Sequence, residues 1–159
     1  MKAAQFNKYG GPEVIEIKDV PKPAFSDNQV LVEVHAASVN PIDWKIRQGY
    51  LKEHAPLKLP VTIGGNFSGV VIEVGSQVSE FKVGDEVYGQ ALVLNGGSGS
   101  IAEFAVSNVS NTAGKPSNLN HVEAASLPLA GVSALQGIEQ HINLQKGQKI
   151  LIHGGAGGI

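Results

Sequence analysis

The chain has 159 residues, enough for one domain or for one domain and part of a second, and its 42% hydrophobic and 16% charged residues favour a buried core over disorder. Twelve Lys and Arg stand against fourteen Asp and Glu, a formal charge of −2 with no cluster of like charge. Binding by phosphate neutralisation is disfavoured, so no nucleic-acid partner is expected. Cysteine is absent, which excludes disulfides, a thiol nucleophile and zinc sites built on thiolates. The opening stretch, Met1 to Val14, has no apolar core of signal-peptide length. No apolar run approaches the ~20 residues that span a bilayer. A soluble, cytoplasmic protein with no membrane partner is expected.

In chain order, Ala3–Asn7 and Val14–Lys18 predict an opening hairpin around the turn Tyr9-Gly10-Gly11-Pro12. Val30, Val32, Val34 and Ala36 fall on one face of the next segment, with Leu31, Glu33 and His35 on the other, the period of a half-buried strand. Asn40 then stands as a helix N-cap, Pro41 as the first helical residue and Asp43 in the first turn, predicting a short helix to about Arg47 that Gly49 stops. Leu51–Pro60 reads as a loop, Val70–Val74 and Glu86–Tyr88 as strands, Asn95–Ser100 as a flexible loop, and Ile101–Val106 as a strand. Strand follows strand with little helix, so a partly open barrel is expected over residues 1–120.

The texture changes at His121. Val122–Leu127 and Leu129–His141 are rich in Ala and Leu without a period of two, which predicts one short and one longer helix divided at Pro128. Lys149–His153 is an apolar run of buried-strand type, and Gly154-Gly155-Ala156-Gly157-Gly158 follows it. An apolar strand entering a glycine turn is how a dinucleotide-binding βαβ unit begins, since free backbone N–H groups and a helix N-terminus receive the pyrophosphate. Gly154, Gly155 and Gly157 are accordingly candidate cofactor-binding residues.

Five runs carry a resemblance: Ala37–Lys45, Gly65–Gly75, Phe81–Val87, Ala124–Gly131 and Leu151–Gly158. Taken in order they make the chain similar to the medium-chain dehydrogenase/reductase superfamily, in its zinc-independent, quinone oxidoreductase-like branch. The resemblance implies a mainly β fold: a GroES-like, partly open barrel with short helices in residues 1–120, followed in 121–159 by the opening helix and first strand of an incomplete α/β Rossmann domain. It departs at Asn66, where that branch more often has Asp.

The implied reaction is NADPH- or NADH-dependent reduction of a quinone or conjugated carbonyl, in which the cofactor supplies the chemistry and the protein supplies orientation. The resemblance puts Asn40 and Asp43 near the nicotinamide, as catalytic candidates, with Asn40 also contacting the cofactor. Ser133 would offer its hydroxyl to the carboxamide or ribose, and Tyr50, with Trp44 nearby, would border the substrate mouth. Plain structural roles compete with these, a helix N-cap for Asn40, a helix-dipole contact for Asp43 and packing for Trp44 and Tyr50. No zinc is implied, because the zinc-dependent branch carries its Cys and His ligands at positions that here are Asn40 and Gly65. His35, His54, His121, His141 and His153 are dispersed, and each is read as a surface or satisfied core residue.

The run Ile150–Ile152 is apolar on both faces, as in a central parallel strand. Fraying, self-association or pairing with a second chain through that strand is therefore expected, with little turnover from these 159 residues alone. The rival readings are a non-catalytic GroES-like binding module and a zinc-independent alcohol or enoyl-thioester reductase.

Overall fold

The computed structural model describes all 159 residues. Eight strands build two antiparallel sheets. Strand β1 (Lys2–Phe6) pairs with β2 (Ile15–Asp19) as the expected hairpin and, on its other edge, with β4 (Val61–Thr62). The larger sheet places β3 (Gln29–Ser38) between β5 (Asn66–Val74) and β7 (Phe104–Asn108), then continues through β6 (Glu86–Gln90) to β8 (Thr112–Gly114). The sheet curls until β7 meets the far side. The Ser107 hydroxyl donates to the Gln90 carbonyl (2.8 Å), and the Gly99 N–H donates to Ala91 (2.7 Å). The mainly β, partly open barrel is thus as expected, although its seventh strand starts at Phe104 rather than Ile101.

Two apolar clusters hold this frame. Val30, Val32, Phe67, Val71, Val87, Ala91 and Ala105 fill the barrel, and Ala4, Phe6, Val14, Ile46 and Ile63 join the small sheet to the helix α1 (Pro41–Gln48). The alternation read in β3 holds only in its second half. Its first residues, Gln29 to Val32, are all buried, and the pairing slips at Leu31/Val32 and at Val34/Ala36. A bulge shifts which side chains face inward and breaks the period of two.

Helix α1 ends as its sequence predicts, with Gly49 in the left-handed region (φ 82°). The next helix departs from expectation. A single helix, α2, runs His121–Gln136 with Pro128 inside it, and a π-helical turn continues over Gly137–Ile142. Ala124, Ala125 and Pro128 are its buried residues. Their spacing makes one face, which packs on β3, β5 and β6 and offsets the hydrogen bond that proline omits.

The strand expected at Lys149–His153 is not formed. Ile150, Leu151 and Ile152 are 41%, 81% and 56% exposed and belong to no sheet. A run apolar on both faces needs parallel neighbours and covering helices to become a strand, and neither is among these residues. No helix is long and apolar enough to cross a membrane.

Candidate functional site

The junction of β3 with α1 faces α2 across a cleft of about 410 Å³, lined by Ser38, Val39 and Asn40 on one side and by Ser126, Leu127, Ala130, Gly131 and Ala134 on the other. Gly158 closes one end. No lining side chain is charged and most are small, so a flat, neutral ring meets neither charge nor bulk there.

Asn40 occupies the N-cap position of α1 with extended backbone (φ −124°, ψ 159°). Its N–H donates to Asp43 Oδ2 at 2.6 Å, and its side-chain nitrogen lies 3.4 Å from Ser38 Oγ. Asp43 is 1% exposed, and its Oδ1 has no hydrogen-bond partner. Burial raises the Asp43 carboxyl above its ordinary value, while the bond from Asn40 N–H works the other way. A carboxyl that keeps its proton to higher pH when folded adds stability at low pH, and that stability is lost as pH rises through the carboxylate range. Asp43→Asn keeps an acceptor for Asn40 and cannot ionise. Its stability relative to the unsubstituted chain is therefore expected to improve as pH rises from about 4 to about 7, and urea unfolding across that range measures it. A difference that is flat with pH would contradict the assignment.

The other expected site residues are spread out. Tyr50 lies past the far end of α1, a helix about 12 Å long with Asn40 at its other end. It is 63% exposed and meets Trp44 edge to face, with ring centres 5.5 Å apart. Ser133 is half-buried on α2 beside the lining positions Ala130, Gly131 and Ala134. Gly154, Gly155 and Gly157 form an exposed turn, closed by Gly157 N–H donating to Gly154 O at 2.8 Å. The chain end returns to α2 through Gly158, where an added Cβ would stand 4.0 Å from Ala130 Cβ. The structure thus puts Asn40 on the cleft wall with the buried Asp43 bonded to its N–H, sets Ser133 alongside, brings the end of the glycine turn to the cleft through Gly158, and leaves Tyr50 outside the lining.

Two groups escaped the sequence reading. Ser38 Oγ donates to the Ala125 carbonyl of α2 (2.9 Å) and accepts from Asn66 Nδ2 (3.1 Å), so the departure at Asn66 is a buried hydrogen-bond donor. His121, at the start of α2, is the second. Its Nδ1 lies 2.8 Å from Ser68 Oγ, whose hydroxyl donates to the Val87 carbonyl, and its Nε2 lies 3.3 Å from Glu86. The Lys115 amine approaches the same carboxylate at 3.2 Å, and the His35 ring lies 4.5 Å from that of His121. Dispersal in sequence hid this pairing, which the register of β3, β5 and β6 creates.

Burial lowers the His121 pKa below the ordinary value, helped by the charges of His35 and Lys115 and opposed by Glu86. Glu86 is itself held below the usual carboxylate range, chiefly by the hydrogen bond from Lys115. Since the unfolded chain binds the His121 proton more readily, stability falls as pH drops through the ordinary histidine range. Urea unfolding at about pH 7.5 and pH 5 is expected to show this loss, reduced in His121→Gln, which cannot titrate. An equal loss in both would refute it. No group of three or more His, Cys, Asp or Glu side chains is placed to share a metal ion.

A curled antiparallel barrel with an uncharged cleft where its longest strand meets a helix defines the class as a GroES-like domain. The family model for the alcohol dehydrogenase GroES-like domain matches residues 26–117. The chain belongs to that family and, within it, to the zinc-independent branch of the medium-chain dehydrogenases and reductases. It is 38% identical to a chloroplast envelope quinone oxidoreductase homolog of Arabidopsis thaliana, over all of this chain and 50% of that protein. It is 41% identical to the 2-methylene-furan-3-one reductase of Solanum lycopersicum, over all of this chain and 42% of that one. Among solved structures, a mycobacterial relative complexed with NADPH superposes with a TM-score of 0.85 at 32% identity, covering 99% of this chain and 46% of that chain. The chain spans about half the length of the curated relatives it matches.

Proposed function

We propose that this chain is the barrel half of an NADPH- or NADH-dependent oxidoreductase that reduces a quinone or a conjugated carbonyl without zinc. The observation that carries the reading is the uncharged cleft between Asn40 and α2, in a chain whose relatives are named quinone oxidoreductase and furanone reductase. NADPH is favoured over NADH because a relative of the same fold was solved with it.

When bound, the nicotinamide supplies the hydride. The protein's own part is to bind, orient and hydrogen-bond. Asn40 lines the cleft where the ring would lie, and Asp43 holds the Asn40 N–H and with it the first turn of α1. The Ser133 hydroxyl would hold the carboxamide or ribose, and the exposed turn of Gly154, Gly155 and Gly157 would leave backbone N–H groups open to a pyrophosphate. The Tyr50–Trp44 pair offers a face on which a planar quinone stacks. Negative charge developing on the substrate oxygen needs a donor, which solvent or a side-chain amide or hydroxyl provides.

In this reading residues 1–120 are the barrel domain and 121–159 open the nucleotide-binding half. The setting is cytosolic, and the exposed Ile150–Ile152 run pairs with another strand or a second copy. These 159 residues alone turn over negligibly, since they hold only the start of the cofactor site. The test compares the chain with a form carrying whatever its gene encodes after Ile159, by titration with NADPH and NADH and assay on quinones, enals and acyl thioesters. Nucleotide binding and turnover by the longer form support the proposal. Failure of both, with the protein folded, leaves a non-catalytic binding module.

A further inference from the structure

We propose that Asn66, acting through Ser38, is a positioning residue: its side-chain amide fixes the direction of a hydrogen-bond chain that seats α2 on β3 and holds Asn40 at the cleft. The role assigned to Asn40 rests on the function proposed above, whereas the seating of α2 does not.

The direction of the chain follows from its one unambiguous end. The Ala125 carbonyl can only accept, so the Ser38 hydroxyl, 2.9 Å away, must donate its single proton there. Ser38 Oγ is then left with acceptor lone pairs only. The two groups facing it, Asn66 Nδ2 at 3.1 Å and Asn40 Nδ2 at 3.4 Å, are both donors, and all capacity of the hydroxyl is used. Asn66 is 1% exposed, paired with Ser38 on β3 and with Gln90 on β6. Water has little access to replace its N–H.

A carboxylate at position 66 has no proton to give. Ser38 would have to turn its hydroxyl toward that carboxylate, releasing Ala125 and facing Asn40 with altered geometry, or leave a buried charge without a donor. A protonated carboxyl, by contrast, still donates. Asn66→Asp is therefore expected to behave like the unsubstituted chain at low pH and to lose the seat of α2 as pH rises. Ser38, Gln90 and Ala125 around position 66 are uncharged. The titratable groups on the elements around it are Glu33 and His35 on β3, Glu86 and Tyr88 on β6, Asp43, Lys45 and Arg47 on α1, and His121 and Glu123 on α2, of which Asp43 has its Oδ1 3.8 Å from where a Cβ on Gly65 would stand. All are present in the unsubstituted chain as well, so the quantity read is the difference between the two proteins at each pH.

The experiment is amide hydrogen exchange across His121–Gln136 at about pH 5 and about pH 8, corrected for intrinsic rates, on the 159-residue chain and its Asn66→Asp, Ser38→Ala and Ser38→Thr variants. Expected are near-equal protection for Asn66→Asp at the lower pH and a loss of about tenfold or more at the higher one. Ser38→Ala is expected to lose protection at both, and Ser38→Thr, which keeps the hydroxyl, to retain it. Equal protection for Asn66→Asp and the unsubstituted chain at both pH values overturns the proposal, as does an unchanged Ser38→Ala. If Asn66→Asp fails to fold, the Ser38→Ala and Ser38→Thr pair decides alone. In the gene-extended form, Asn66→Asp is expected to raise the KM for NADPH at the higher pH more than it lowers kcat. If that form has no turnover, the proposed function falls while the exchange result still judges the positioning role.

Discussion

Valine in place of Gly69 is expected to leave no folded barrel. Gly69 sits opposite Val34 in the β3–β5 pair, where the pairing slips, and a Cβ built on it would stand 1.9 Å from the Glu33 carbonyl oxygen. The obstacle is backbone in the middle of a five-stranded sheet, so no side chain can swing aside to relieve it. Relief requires parting the strands that carry Val30, Val32, Phe67 and Val71, the barrel's core. The loss is expected to exceed the whole stability of an ordinary domain, about 5–15 kcal/mol. Far-UV circular dichroism and a urea titration check this, and a cooperative transition near that of the unsubstituted chain would disprove it.

Phe67→Ala is expected to have the next largest effect without preventing folding. The ring is fully buried among Val30, Val32, Val71, Val87, Ala91 and Ala105. These neighbours belong to paired strands that cannot close over the space it leaves. Truncation at such a site costs about 3–5 kcal/mol, the lost transfer energy plus the cavity. That corresponds to a fall in Tm of roughly 10 °C for a chain of this size. A loss below about 1 kcal/mol in urea unfolding would mean that the barrel collapses around the gap.

Much of the fold could be read locally because its signals are local. The hairpin of β1 and β2 follows from alternation around a Gly-Gly-Pro turn. Helix α1 follows from Asn40, Pro41 and Asp43 at its start and Gly49 at its end, since capping and left-handed backbone are properties of neighbouring residues. Asn40 and Asp43 were legible locally only as the cap and first turn of α1, and it was the resemblance that made them site candidates. Pro128 misled, because its local preference to begin a helix is overridden by the packing of Ala124, Ala125 and Pro128 on the barrel. At Lys149–His153 the strand pattern is present, but a strand exists only when a neighbour takes its hydrogen bonds.

The class of fold, the position of α1 with its cap, and the family can thus be read from the residues alone, because these rest on short-range patterns and on runs of residues kept in order. Which polar groups meet is settled by how the strands and helices come together. Ser68, Glu86, Lys115, His121 and His35 converge through strand register, as do Ser38, Asn66 and the Ala125 carbonyl. A slip of one residue in the pairing would point each of those strand side chains to the other face. Register is set by bulges and by the core as a whole, and these contacts across long sequence separations leave no mark in the local pattern.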